Sequence, residues 1–385
     1  MHRPRTAVAL VALAVALAAG CAPIETAATQ PATTSAAASA PTDAASSGTT
    51  AGTAAPDATT PADACTAARA EPRPAAPASL PDGPRTGVVA DDAIHPIADA
   101  PAPTLPVTVP SEGGEVTVTD TSRIIAVDLY GTLGEIVFSL GLGDQVVGRD
   151  ASTGFAEAAD LPVVTGSGHA LQVEALLGLD PTVILADDTI LTDATRTQLE
   201  DSGVPVVLFD SARTLDGVGP RIEAVATALG VPAAGTDLAE RTAQEICVAL
   251  AGVPEPADAP LVAFLYLRGG NVKLLFGPGS GADELLAAIG AQDAGTAIDL
   301  GREYAPVTSE ALIAAAPDAY LVMTGGLESA GGIDAMLAIP GVGQTPAGEA
   351  RRVIDMDDTD LLTFGPRTAG TISALAAALY GTDAA

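Results

Sequence analysis

Residues 236–251 read T-D-L-A-E-R-T-A-Q-E-I-C-V-A-L-A, with Leu238, Ile246, Val248 and Leu250 among the apolar positions. Gly235 precedes this run and G-V-P-E-P follows it at 252–256, so a long helix has both its start and its stop marked. At 1.5 Å per residue it spans about 25 Å. On its N-terminal side, R-I-I-A-V-D-L (123–129) reads as a buried strand, and G-T-L-G-E-I-V-F-S-L-G-L (131–142) as a Gly-opened helix. Short Val-rich strands follow at 146–147, 163–164, 183–185 and 204–209, several of them separated by helical stretches. That alternation predicts a mostly parallel, doubly wound sheet. On the C-terminal side the same pattern restarts with L-V-A-F-L-Y-L at Leu261.

The two sides echo each other. E-A-L-L-G-L-D-P at 174–181 matches E-A-L-I-A-A-A-P at 310–317, and each precedes a strand. Earlier in each half, Glu135 and Glu284 open helices that run into L-G-L-G-D and I-G-A-Q-D. The expected fold is therefore α/β: two similar Rossmann-like lobes joined by a single long α-helix. The boundaries expected are a signal peptide at 1–20, a disordered tether at 21–112, an N-terminal lobe at 113–234, the bridging helix at 235–253 and a C-terminal lobe at 254–385.

Charge narrows the function. Among 385 residues, 17 Lys and Arg stand against 48 Asp and Glu, a formal charge of -31, and Lys273 is the single lysine. A nucleic-acid partner needs a basic face to displace counterions, so nucleic acid is excluded. Anionic lipid headgroups would repel this surface, so a membrane contact must be inserted or covalent. The three cysteines (Cys21, Cys65, Cys247) are too few for a Cys-based zinc or iron–sulfur site. Nucleophile elbow, P-loop and dinucleotide fingerprint are all missing from the sequence, so no enzyme activity is expected.

The first residues suggest the attachment. Arg3 and Arg5 precede an apolar run from Ala7 to Ala19, too short to span a bilayer, and Ala18-Ala19-Gly20 leads into Cys21. This is the pattern of a bacterial lipoprotein signal with Cys21 as the lipidated residue, although Leu17 lies one place earlier than usual. An ordinary secretory signal with a chance cysteine is the other reading. From Ala22 to about Asp63 the chain is almost entirely Ala, Thr, Ser and Pro, a composition that builds no core. Pro-rich sequence continues with gaps to about Pro110, and a flexible tether of roughly 90 residues reaches on the order of 50 Å. Once Cys21 is lipidated, Cys65 and Cys247 are the remaining thiols in an oxidising compartment, and a disulfide between them is expected.

From about Thr117 to Gly381 the sequence resembles the substrate-binding lipoproteins of ABC importers for iron siderophores, cobalamin and haem. The resemblance is closest to the actinobacterial haem-uptake (HmuT-type) members. It is carried by T-G-S-G-H (165–169), F-L-Y-L-R-G-G-N (264–271), R-E-Y (302–304) and M-D-D-T-D-L-L-T-F-G-P-R-T (356–368). It implies two lobes with a ligand cleft between them, haem b as transported ligand, and His169 and Tyr266 as axial ligands to the haem iron from opposite lobes. It further implies that Arg268 assists Tyr266, and that Glu174 and Glu310 dock to an ABC permease served by a separate ATPase. The protein would be a monomer on the extracytoplasmic face of the cell membrane, held there by its lipid anchor only. The alternative ligand within the same fold is a ferric siderophore or cobalamin.

The residues bear on this chemistry in their own right. In an extended strand, Phe264, Tyr266 and Arg268 share one face, at the carboxyl end where open α/β sheets hold ligands. A phenolate is the better ligand for ferric iron, and a cation two residues away favours the ionised oxygen. Tyr266 as an interior aromatic and Arg268 as the start of a polar turn remain the plain alternative. His169 follows a glycine-rich turn that lifts it from a strand end; a surface or capping histidine is its other reading. Tyr304, six residues before Glu310, occupies nearly the position that His169 holds before Glu174, and is expected to contact haem. Met323 either lines the pocket or packs in the core. Arg367 either faces a haem propionate or caps a helix and pairs with acids. Glu174 and Glu310 read otherwise as solvated helix faces.

Overall fold

The computed structural model describes residues 61–112 and 114–382. The signal segment, Cys21 and the first part of the tether lie outside the described residues. In chain order the strands are β1 (Arg85–Gly87), a hairpin of β2 (Val107–Ser111) and β3 (Gly114–Val118), then β4 (Ile124–Val127), β5 (Val146–Arg149), β6 (Val183–Asp187) and β7 (Val206–Phe209). After the long helix come β8 (Leu261–Arg268), β9 (Val272–Phe276), β10 (Gln292–Asp293), β11 (Tyr304–Pro306), β12 (Ala319–Met323) and β13 (Val353–Met356).

The fold is α/β, and among the described residues it has two large sheets besides the two-stranded β2-β3 hairpin. The first is parallel and runs β5-β4-β6-β7. Every residue of β4 and β6 is buried, as near-continuous Val, Ile and Ala runs between helical layers require. The second runs β1-β13-β12-β8-β9-β11, with β10 also on β8. Its β1, β13, β12, β8 and β10 are mutually parallel, whereas β9 and β11 close its edge antiparallel. The sequence echo survives in three dimensions. Helices Val173–Leu177 and Ser309–Ala315 each carry their Glu in the first turn and each precede an inner strand. Helices Thr132–Ser139 and Ala282–Ala288 both start from a left-handed glycine, Gly131 at φ 77° and Gly281 at φ 84°. A Cβ on Gly131 would stand 2.6 Å from the Ser152 carbonyl oxygen, so no other residue fits there.

The long helix is Pro232–Gly252, beginning three residues before the expected start. Proline suits its first turn because the missing N–H has no intrahelical partner there. It buries Leu238, Ala239, Thr242, Ile246, Cys247 and Ala249, and packs on helices Pro61–Ala70, Val218–Ala228 and Thr368–Tyr380.

The expected tether boundary at residue 112 is corrected. Pro61–Ala70 is helical, and after it the backbone of Pro74 and Ala76 exchanges hydrogen bonds with Glu255. Arg85–Gly87 then becomes the edge strand of the second sheet, Arg85 against Ile354 and Gly87 against Met356. Pro-rich sequence builds no core of its own, but its extended backbone is well suited to an open sheet edge. Among the described residues no helix is long and apolar enough to cross a membrane.

Candidate functional site

The carboxyl end of β8 presents Tyr266 and Arg268 on one face, both half-buried. The Tyr266 ring lies flat on Phe276 of β9, centroids 5.7 Å apart and planes 13° from parallel. Phe276 in turn meets Tyr304 of β11 at 6.0 Å. The antiparallel register, with Tyr266 opposite Leu274 and Tyr304 opposite Phe276, aligns these rings into an aromatic shelf. Tyr304 is its outer step, 53% exposed. The Arg268 guanidinium lies over the Tyr266 ring, 4.5 Å from its centroid. It is also bound to Asp358 at 2.8 Å, and donates to the Leu267 carbonyl at 3.0 Å and to the Met323 sulfur at 3.5 Å. Met323 is thus a buried support behind Arg268 rather than an exposed lining residue.

His169 comes from the other half. It ends the short turn Ser167–His169, where Gly168 (φ 68°) and His169 itself (φ 62°) are both left-handed. A histidine held at positive φ is uncommon, and such backbone strain gathers at functional sites. The turn is braced by hydrogen bonds from the His169 amide to the Gly166 carbonyl and from the Gly166 amide to the Ala170 carbonyl. Ser152 Oγ stands 3.4 Å from Nδ1 and donates to the Leu129 carbonyl at 2.6 Å. Partial burial pushes the imidazole pKa down, and the positive charge of Arg268 pushes it further in the same direction. Two consequences follow. The ring is neutral at neutral pH, with a lone pair free for a metal. Arg268 of the second half also lies within electrostatic reach of His169 of the first.

Beneath that turn, the carboxyl ends of three adjacent strands carry buried acids: Asp128 after β4, Asp150 after β5 and Asp187 ending β6. Asp128 accepts from the amides of Tyr130, Thr132 and Leu133, and Asp150 from those of Asp128, Ser152 and Thr153. Asp187 accepts from the amide and the hydroxyl of Thr189. Burial pushes all three pKa values up, Asp150 and Asp187 to about 7, and the charge of Asp128 adds to the rise at both. These carboxylates tie down the loops that carry Tyr130 and Ser152.

Of the roles expected for Arg367, pairing with acids is the one the structure shows. Its backbone amide and Nε donate to Glu135 at 2.8 and 3.1 Å, and Nη1 pairs with Asp360 at 3.1 Å and donates to the Asp92 carbonyl. Glu135 is 1% exposed, so a lone carboxylate in the first half requires this cation from the second. Glu174 and Glu310 are both exposed, each in the first turn of its helix. Cys247 is disulfide-bonded, and its sulfur accepts from Arg69 Nε at 3.1 Å. Sequence reading missed Asp358 as the partner of Arg268, although it lies within the quoted M-D-D-T-D. It also missed Arg213, buried against Tyr130 at 4.1 Å and donating to the Ser280 carbonyl, because no local pattern announces a contact between halves.

Comparison with known proteins gives a consistent picture. Solved structures of the haem-binding protein HmuT share 34% identity, cover 78% of this chain and 98% of their own, and superpose with a TM-score of 0.75. Structures also exist of HmuT variants in which a tyrosine, a histidine, or an arginine two positions beyond that tyrosine is replaced by alanine. The histidine precedes the tyrosine there by nearly the separation between His169 and Tyr266. The periplasmic haem-binding protein RhuT from Roseiflexus sp. RS-1 is 37% identical over 68% of this chain, with a TM-score of 0.62. A cobalamin-binding protein of Halobacterium salinarum is 26% identical over 222 residues; the chain spans 58% of its length. The family model described as periplasmic binding protein matches residues 127–359. With well over half of its length matched, the chain belongs to the periplasmic binding protein family.

Proposed function

We propose that this protein binds haem b in the cleft between its two sheets and hands it to an ABC permease driven by a separate ATPase. The observation that carries the reading is the pairing of Tyr266 and Arg268 at the end of β8 with a neutral, strained His169 from the other half. Neutral imidazole ligates either oxidation state of iron, whereas a phenolate selects the ferric state. Ligands from separate halves tie closure of the cleft to the iron, so prising the halves apart breaks one bond first. The aromatic shelf from Tyr266 to Tyr304 offers a flat apolar face to a macrocycle. The protein is a carrier and not an enzyme on this reading.

Absorbance of the purified protein titrated with ferric haem tests it: a shifted Soret band with one haem per chain supports the reading, and an unchanged free-haem spectrum rejects it. The kinship with a cobalamin-binding protein favours a second reading, cobalamin as the ligand, and titration with cobalamin in place of haem decides between them. We further assign the anchor to lipid on Cys21, the tether to the residues between it and helix Pro61–Ala70, and the disulfide to Cys65 with Cys247. Cys65 falls on the helix that packs against the long helix, which supports that pairing. Glu174 and Glu310, exposed on equivalent helices of the two halves, are the docking points for the permease, and the carrier works as a monomer outside the cytoplasm.

A further inference from the structure

We infer that Asp358 is the positioning residue that holds Arg268 over Tyr266, and that it links this arrangement to contact between the two halves. The inference rests on the haem reading for its consequence but not for its geometry. Arg268 ends an apolar strand, where nothing on β8 itself fixes a long, flexible guanidinium. Three groups do. Asp358 takes Nη2 at 2.8 Å, Met323 sulfur lies on the same nitrogen at 3.5 Å, and the Leu267 carbonyl takes Nη1. Only Asp358 among them opposes the charge. Its other oxygen accepts the Gly325 amide at 2.8 Å, which fixes the carboxylate's own orientation.

The space for this pair is kept by glycines. A Cβ on Gly326 would stand 2.6 Å from Arg268 Nη1, and one on Gly325 would stand 3.1 Å from Asp358 Oδ2. Neither glycine has a left-handed φ; close approach explains them, of the ion pair at both positions and also of the Leu267 carbonyl oxygen, which a Cβ on Gly326 would meet at 2.7 Å. At about a third exposed on each side, the pair is screened too little to be ignored and too much to be a strong stability element. Its effect is directional: it holds the guanidinium against the ring face instead of leaving it free in the cleft.

Asp358 belongs to the segment that touches the first half. The next residue, Thr359, packs on Gly154, where an added Cβ would stand 2.4 Å from the Thr359 methyl. Further along, the Thr363 carbonyl accepts from the Thr132 hydroxyl, and the Thr363 hydroxyl donates to the Tyr130 carbonyl at 3.3 Å. A shift of the halves that drags this segment also drags the carboxylate from Arg268. Position of the halves and position of Arg268 are coupled through one side chain.

The test has two readouts. In the ligand-free protein, NMR of labelled arginine should show ring-current-shifted guanidinium signals from Arg268 and from Arg213, which lies over Tyr130, and the Arg268 signal is assigned by its loss in Arg268→Ala. Asp358→Ala should abolish that shift, and Asp358→Asn, which keeps a hydrogen-bond acceptor, should retain part of it. With ferric haem, Asp358→Ala should raise the off-rate about 10-fold, as outer partners of metal ligands commonly do. Asp358→Ala combined with Arg268→Ala should then be no faster than Arg268→Ala alone. An unchanged ring-current shift in Asp358→Ala, or additive off-rates in the double variant, overturns the inference. If the wild-type protein formed no haem complex the proposed ligand would fall, while the NMR signal would still decide what holds Arg268.

Discussion

At the scale of single residues, the three groups assigned to haem by the proposed function make different demands on a metal. On the proposed haem reading Tyr266 is the ligand that binds as phenolate, so Tyr266→Ala should lose any phenolate-to-iron charge-transfer band and most of the ferric affinity. His169 is neutral because burial and Arg268 both disfavour its proton, so it competes for iron without first releasing one. His169→Ala should shift the Soret band while Tyr266 retains the haem. Arg268 touches the Tyr266 ring, so on the haem reading Arg268→Ala should resemble a partial Tyr266 defect, about 10-fold in affinity. Optical titration of the three variants checks all of this; a Tyr266→Ala, His169→Ala double variant with the wild-type spectrum would refute both ligand assignments. A different prediction belongs to Arg367. Removing it strands Glu135, 1% exposed, without its cation, and breaking a buried pair from one side costs about 3–5 kcal/mol. Arg367→Ala should therefore lower stability in denaturant titrations far more than it alters the haem spectrum. Equal loss of haem affinity would return Arg367 to the ligand site.

At the scale of elements, the carboxyl edge of the first sheet carries a pH response. Asp150 and Asp187 are raised to about 7 in the fold, whereas a free aspartate releases its proton near 4. Between those values the native state holds protons that the unfolded state does not, so the cluster's contribution to stability falls as pH rises from about 4 to about 7. It is fully present below that window and gone above it. Asp187→Asn keeps an acceptor for Thr189 and cannot ionise, so its melting temperature relative to the wild type should climb across the same window. A constant offset at every pH would show that Asp187 is ionised throughout. This cluster was not legible in the sequence, and the reason is physical. Strands β4 to β7 and their helices could be read because apolar periodicity is local, and the echo of Glu174 and Glu310 because two copies stand in one chain. That Asp128, Asp150 and Asp187 end adjacent strands depends on sheet order, which no short window contains. The same holds for β1. Arg85–Gly87 pairs with β13 across some 270 positions, and its Pro-rich surroundings resemble a tether until the open edge is known. For Tyr266 and Arg268 the strand alternation sufficed; for Asp358 and the Glu135–Arg367 pair it did not, because both contacts join distant segments.

At the scale of the whole molecule, the proposed function assigns loading and delivery to different surfaces, which makes them separable. Ligand chemistry lies at the carboxyl ends of β8 and of the first sheet, whereas Glu174 and Glu310 stand exposed at the starts of helices Val173–Leu177 and Ser309–Ala315. The negative side chains also suit those positions because a helix N-terminus carries a partial positive charge. Exposed ion pairs contribute about 0–1 kcal/mol each, so two glutamates would add little bulk affinity for a permease. On the proposed docking role, what they supply is register: one contact per half fixes the carrier's rotation over the pore, and a partner that pulls on both moves one half against the other. Replacing one glutamate should thus slow uptake, and replacing both should abolish it, while the Soret titration stays that of the wild type. The informative comparison is charge-preserving: Glu174→Asp with Glu310→Asp should recover part of the uptake that the double alanine variant loses. Normal haem uptake by cells carrying Glu174→Ala with Glu310→Ala would remove the docking role and leave these residues as solvated helix starts.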